Sequence, residues 1–221
     1  MRQFDEDLEG LKQTLLKMAA KSEAMIDSSI QALVQRDLSL ADEIVDQEED
    51  VNRLQLEIDD RCFKLLALRQ PMAHDLRFVI AAMKISSDLE RIADQAVNIW
   101  ENTKELLNFP ELKPLIDIPR MAEISKGMVR DSLDAFVESD AAKAREIVLR
   151  DDEVDALKDQ VFRELLTYMI SDPKTIQVAL QLILVARHLE RIADHATNIC
   201  EDVVYLVEAK DIRHHAEEGK V

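Results

Sequence analysis

One stretch of the chain occurs twice, and that duplication restricts the fold more than any other feature. Asp88 to Glu101, DLERIADQAVNIWE, lies over His188 to Glu201, HLERIADHATNICE, at an offset of 100, with ten of the 14 positions identical. Upstream the offset becomes 103, so that Met25, Ser29, Ala32, Asp37, Ala41 and Ile44 recur as Met128, Ser132, Ala135, Asp140, Ala144 and Ile147. A correspondence this long is the duplication of a whole structural unit, with three residues fewer before the second LERIAD. What one half can build, the other can build again.

The unit is helical. Three Gly and five Pro in 221 residues leave little turn chemistry for a sheet protein, and the abundance of Leu, Ala, Glu, Lys and Met suits long helices. Proline ends a helix at or before the residue preceding it. Pro71 and Pro173 therefore part the second and third helix of each half, while Pro110, Pro114 and Pro119 lie in NFPELKPLIDIP, a linker. The spacing predicts helices at about 3–36, 38–69, 72–108, 119–138, 140–171 and 174–209. In the first, Leu8, Leu11, Leu15, Met18, Ser22, Met25, Ser29 and Ala32 alternate steps of three and four, a bundle seam. The expected fold class is all-α: two tandem three-helix bundles set end to end at residues 1–108 and 119–210, with a linker at 109–118 and a tail at 211–221. Aromatics are only 4% of the chain, so aliphatic and Met side chains must fill both cores.

Charge narrows the partners. A formal charge of −17 repels a phosphate backbone and argues against nucleic-acid binding. A cation, a basic protein surface or plain solvation of acidic helix faces remains. Cys62 and Cys200 stand far apart with no CxxC, so neither a disulfide framework nor structural zinc is expected, and a reducing cytoplasm fits. The N-terminal MRQFDEDLEG has no apolar core and no long apolar run follows, so neither secretion nor membrane spanning is expected.

Carboxylates interrupt the expected seams. The second helix reads Ile44, Glu48, Val51, Gln55, Ile58, Cys62, Leu65, and its repeat Ile147, Asp151, Val154, Lys158, Val161, Leu165, Tyr168. The third reads Leu76, Ile80, Met83, Ser87, Glu90, Asp94, Val97, and its repeat Ile176, Leu180, Ile183, Arg187, Glu190, Asp194, Thr197. Helices joined by a short turn run antiparallel, so residues equidistant from the turn share a level. That places Glu48 level with Asp94 and Asn52 with Glu90, then Asp151 with Asp194 and Asp155 with Glu190. Two oxygen-rich clusters suit Mg, Mn or Fe better than zinc or copper. The alternative is that Glu90 and Glu190 pair with Lys84, Arg91, Arg187 or Arg191. A di-iron redox site is disfavoured, because the inward Glu-x-x-His pairs such sites use are missing from these helices. Asn98 and Asn198 either extend the sites or bond backbone, and His188 and His195 either tune surface charge or join the second cluster. Cys62 and Cys200 read as core thiols, while His214 and His215 carry no clear role. No Gly-rich phosphate loop, nucleophile elbow or Ser/His/Asp arrangement is present, so no catalytic residue is expected.

In combination, the doubled LERIAD, RQPMAHDLR at Arg69 to Arg77, LLTYMISDPKTI at Leu165 to Ile176, and Arg213 with His214 resemble the PhoU family over nearly the whole chain. The resemblance implies two three-helix bundles. It also implies multinuclear iron or other metal clusters, as some members bind through E-x-x-x-D motifs, here Glu90 to Asp94 and Glu190 to Asp194, with second-helix acids Glu48 and Asp151. Two departures stand out: Ala93 and Ala193 replace a glycine usual in the motif, and Asn52 stands where an acid would match Asp155. The implied role is negative regulation of phosphate uptake and phosphate-starvation signalling. The protein would bridge the phosphate ABC transporter's ATPase subunit and a sensor histidine kinase, as a cytoplasmic homodimer held at the inner face of the membrane by those partners. A metal-free helical spacer and a metal-dependent hydrolase are the rival classes.

Overall fold

A computed structural model describes residues 2–212 of the chain, all its regular elements helical. Arg213, His214 and His215, singled out above, lie outside the described residues. The helices are α1 (Arg2–Gln35), α2 (Ile44–Arg69), α3 (His74–Leu106), α4 (Asp117–Glu138), α5 (Ala141–Val148), α6 (Asp151–Ser171) and α7 (Ile176–Glu208). The seam of α1 is buried as its spacing predicts, from Leu11 through Ala32. Its serines are satisfied inside the core: the Ser22 hydroxyl donates to the Leu89 carbonyl at 3.2 Å, and its repeat counterpart Ser125 donates to the Leu189 carbonyl at 3.0 Å.

The second helix of each half is broken where continuity was expected. Asp37 and Asp140 both cap the return strokes, accepting from Ser39 N in one half and from Ala142 N and Lys143 N in the other. A short 3-10 turn, Leu38–Ala41, then precedes α2, and α5 precedes α6. The second break is held by Arg150, whose Nη1 donates to Asp131 Oδ2 at 2.5 Å. Gly127 makes room for that guanidinium, since a Cβ there would stand 2.9 Å from Arg150 Nη2. Pro119 does not end a linker but sits inside the first turn of α4, which begins at Asp117. No intrahelical bond needs its missing N–H there.

The two halves lie side by side, not end to end. In one layer α2, α3, α7 and α6 form a row, and α1 and α4 pack against each other behind it, α1 under α2 and α3 and α4 under α7 and α6. The centre of the row is an antiparallel α3–α7 pair. Arg77 Nε donates to the Leu206 carbonyl at 3.0 Å, Lys84 pairs with Asp202 at 2.7 Å, and Asn102 donates to Gln181 at 2.7 Å. End-to-end bundles need only one buried stripe per helix, whereas α3 buries Val79, Ala82, Ile85, Leu89, Ile92 and Ala96 together with Ser86, Ala93 and Gln95. A helix buried across that much of its circumference must have neighbours on two sides.

The same burial corrects the third-helix seams. The core of α3 runs through Val79, Ile85, Leu89, Ile92 and Ile99, one position away from the stripe Leu76, Ile80, Met83, Ser87, Glu90, Asp94, Val97. That stripe is half-exposed or exposed along its length, as is Ile176, Leu180, Ile183, Arg187, Glu190, Asp194, Thr197 on α7. The acids therefore line the outer face of the four-helix row instead of interrupting the core.

Candidate functional site

In the first half, Glu48 on α2 and Glu90 and Asp94 on α3 share one electrostatic neighbourhood. The Glu48 carboxyl is raised above the ordinary carboxylate range by partial burial and next by the charge of Asp94, against a side-chain hydrogen bond from Asn52. Glu90 is raised by burial, then by Asp94 and Glu48, and Asp94 by burial alone, opposed by Arg91 and His195. Among the described residues none of the three forms an ion pair within 4.0 Å. Glu48, matched in level with Asp94 by counting from the turn, feels that residue's charge, and Glu90 feels both.

In the second half the acids also meet, around a resident cation. Lys158 Nζ lies 2.7 Å from Asp155 Oδ1 and 3.1 Å from Glu190 Oε1, and these bonds hold its ammonium charged well above the usual range. Asp151 is pushed up to about 6 by burial, then by Asp194, Asp155 and Glu190. Asp194 is likewise raised by burial and then by Glu190 and Asp155, with His195 and Lys158 opposing. The ion-pair alternative is therefore realised for Glu190, through a lysine that none of the four expected cations anticipated. Lys158 is the one basic residue on the α6 seam, where α2 carries Gln55, but counting from the turn sets it about one helical turn away from Glu190. Lys84, expected beside Glu90, pairs instead with Asp202.

Between the clusters runs a cleft of about 620 Å3 whose walls come from both halves, including Asp94, Gln95, Asp151, Asp194, His195 and Asn198. Its floor carries two matched bonds. His195 Nδ1 meets Asp88 Oδ1 at 2.8 Å, and His188 Nδ1 meets Gln95 Oε1 at 2.9 Å. Asp88 and His188 are repeat counterparts, as are Gln95 and His195, so the bonds are one contact seen from either side of a pseudo-twofold axis. The two histidines thus join the halves, and the charge field of His195 reaches Asp94 and Asp194. Burial drives His188 down to about 4, with Arg191 and Arg187 adding to it, so it is neutral at pH 7. Asn198 donates to Asp88 at 3.4 Å.

The donor set is carboxylate with one amide, the chemistry of hard cations. Among the described residues no three Asp, Glu, His or Cys side chains are gathered tightly enough to enclose one ion. An ion would have to draw Glu48 to Glu90 and Asp94, or displace Lys158 from Asp155 and Glu190. The raised carboxyls are consistent with that demand, because a bound cation relieves the repulsion that raises them. Cys62 and Cys200 are buried with thiols pushed up to about 12 by desolvation, as core thiols should be, and Cys62 Sγ contacts the Val79 carbonyl at 3.7 Å.

Comparison with known proteins supplies the family. The PhoU domain matches residues 15–103 and again 118–203, once per half. The chain is 42% identical over 214 residues to the phosphate-specific transport system accessory protein PhoU homolog of Aquifex aeolicus, covering 97% of this chain and 96% of that one. With the homolog from Zymomonas mobilis it shares 40% identity over 212 residues, 96% of this chain and 90% of the other. The crystal structure of PhoU from Pseudomonas aeruginosa superposes with a TM-score of 0.90 at 36% identity, covering 94% of this chain and all of that one. The phosphate transport system regulatory protein PhoU from Streptococcus pneumoniae gives 0.86 at 32% identity, over 94% and 98%. With both halves matched and the likeness running nearly end to end in sequence and in structure, the chain belongs to the PhoU family.

Proposed function

We propose that this protein is an accessory regulator of a phosphate-specific transport system, which represses phosphate uptake and starvation signalling when phosphate is plentiful. The observation that carries the reading is the near full-length likeness to accessory proteins of phosphate transport, on a scaffold that presents one acidic motif twice on a single face. Such a body can touch two proteins at once. The partners we propose are the transporter's ATPase subunit and a sensor histidine kinase, reached from the cytoplasmic side. Among the described residues no helix is long and apolar enough to cross a membrane, so attachment to those partners would bring the protein to the membrane.

Metal belongs to the same proposal. Glu48, Glu90 and Asp94, with Asn52, would hold an Mg, Mn or Fe ion in the first half, and Asp151, Asp155, Glu190 and Asp194 in the second. A bound ion supplies positive charge that neutralises the clustered carboxylates. Ordinary work by the chain's own residues follows: Arg91 moderates the charge on Glu90 and Asp94, and Lys158 competes with any ion for Asp155 and Glu190. The role is regulatory and needs no catalytic step.

A reporter driven by a phosphate-starvation promoter tests the reading. In a deletion strain at high phosphate the reporter should be switched on, and the intact gene should silence it. A silent reporter in the deletion strain would remove the regulatory assignment. Replacing Glu90, Asp94, Glu190 and Asp194 together with Ala should leave the reporter partly on, and full repression by that variant would separate regulation from the acidic motifs.

A further inference from the structure

The two outer grooves carry the same apolar stripe beside different charges. On α3 the exposed Leu76 and Ile80 recur on α7 as Ile176 and Leu180, at 37%, 41%, 41% and 49% relative exposure. The neighbouring helix adds Phe63 on α2 and its counterpart Leu166 on α6, both exposed. The Cys62 contact to Val79 fixes the antiparallel α2–α3 register and sets Phe63 level with Phe78, midway in height between Leu76 and Ile80. Further along the same groove Glu48 is level with Asp94. Each groove is thus apolar near its α2–α3 or α6–α7 turn and acidic toward the other end. In the second half Lys158 and Arg187 stand where the two parts meet, in a groove of about 250 Å3 that also includes Phe162, Ile183 and Glu190. In the first half those two positions are Gln55 and Ser87, and among the described residues no cation pairs with the acids within 4.0 Å, Arg91 acting on them only at longer range.

Lys158 shows what fits. An ammonium seated between a second-helix and a third-helix oxygen, at 2.7 and 3.1 Å, shows how a cation sits between these helices; the first groove has Asn52 in place of Asp155 and no lysine, but keeps Glu48, Glu90 and Asp94 clustered for a cation from outside. We propose that the α2–α3 groove of the first half docks an amphipathic helix of a partner protein, apolar residues on Phe63, Leu76 and Ile80 and a lysine or arginine among Glu48, Glu90 and Asp94. Charge complementarity selects the occupant: an acidic helix is repelled by three unpaired carboxylates, and a purely apolar one leaves them uncompensated. The second groove, with its own cations, does not share this selectivity. The inference deepens the adaptor reading by assigning one of its contact surfaces, and a partner's cation and a metal ion compete for the same carboxylates.

The test uses the full chain and two fluorescent peptides of about 18 residues, roughly five helical turns, with one leucine stripe and either lysines or glutamates at one end. Anisotropy should give roughly tenfold or more tighter binding for the lysine peptide. Phe63→Ser and Gln55→Lys should each abolish that preference, Leu166→Ser should leave it intact, and Mn2+ should weaken the lysine peptide. Equal binding of the two peptides, indifference to Phe63→Ser or Gln55→Lys, or strengthening by Mn2+ overturns the proposal. The transporter ATPase subunit and the kinase's cytoplasmic region are then titrated in the same assay. If neither binds while the lysine peptide does, the adaptor reading fails and the docking groove stands.

Discussion

The two acidic clusters share one backbone plan and differ in how they balance charge. The second spends an extra acid, Asp155, and a lysine, Lys158, where the first has Asn52 and Gln55. The formal excess is the same, since the first has three acids and the second four acids and one base. Yet in the second the lysine binds two of the acids, while in the first the repulsion is moderated by Asn52 and at longer range by Arg91 and His195. An equal net charge can therefore leave one site closed around its own cation and another open to a foreign one.

The largest effect should come from metal. Adding Mn2+ or Mg2+ at a hundredfold excess over its dissociation constant should stabilise the protein by about 2.7 kcal/mol, and Glu48→Ala with Asp94→Ala should remove most of that. Unchanged melting after chelation and after metal addition, read by calorimetry, would break the comparison at its base. Next, Lys158→Gln should cost about 1 to 2 kcal/mol without metal, less than the loss of a fully buried pair because the site is partly solvated. Titration of that variant should reveal a metal response in the second cluster that the parent lacks or shows more weakly.

A smaller effect depends on pH. The Asp151 carboxyl keeps its proton up to about 6 in the folded protein but only to about 3.8 unfolded, so its contribution favours folding below 3.8 and is lost as pH rises through 6. Asp151→Asn should therefore raise the melting temperature above pH 6, by on the order of 1 kcal/mol after allowing for solvent screening, and change nothing below about 3.8. A pH series of thermal melts settles it. The smallest effect is Asn52→Asp, which removes the amide donor to Glu48 and adds a like charge. It should destabilise the metal-free protein by a few tenths of a kcal/mol while tightening metal, measured as opposite shifts in melting and in titration.

Much of this was legible in the residues. The duplication and the prolines yield six helical strokes, and counting from the turns places Glu48 with Asp94 and Asp151 with Asp194. Less could be read about lateral packing. A stripe at helical spacing says which side chains share a face but not whether that face meets core or solvent, so Leu76, Ile80 and Ile176 passed for seam when they lie outside it. The broken second helices escaped because Asp37 and Asp140 look like caps of long helices, and only the packing of α5 on α7 reveals where the axis turns. Lys158 as the partner of Glu190 required the relative height of two helices to within one turn, finer than counting from a loop provides.

The pseudo-twofold pairing of Asp88 with His195 and Gln95 with His188 has a further consequence. Two free copies of one repeat meeting through such a contact would form a symmetric dimer, in which every substitution appears on both sides at once. A lysine introduced to quiet one groove would quiet its twin. Tethered in a single polypeptide, the halves associate without regard to dilution, and each mutates alone. Covalent fusion is the condition under which Lys158 and Gln55 can coexist, and so the reason a scaffold of two repeated halves can offer two unlike faces.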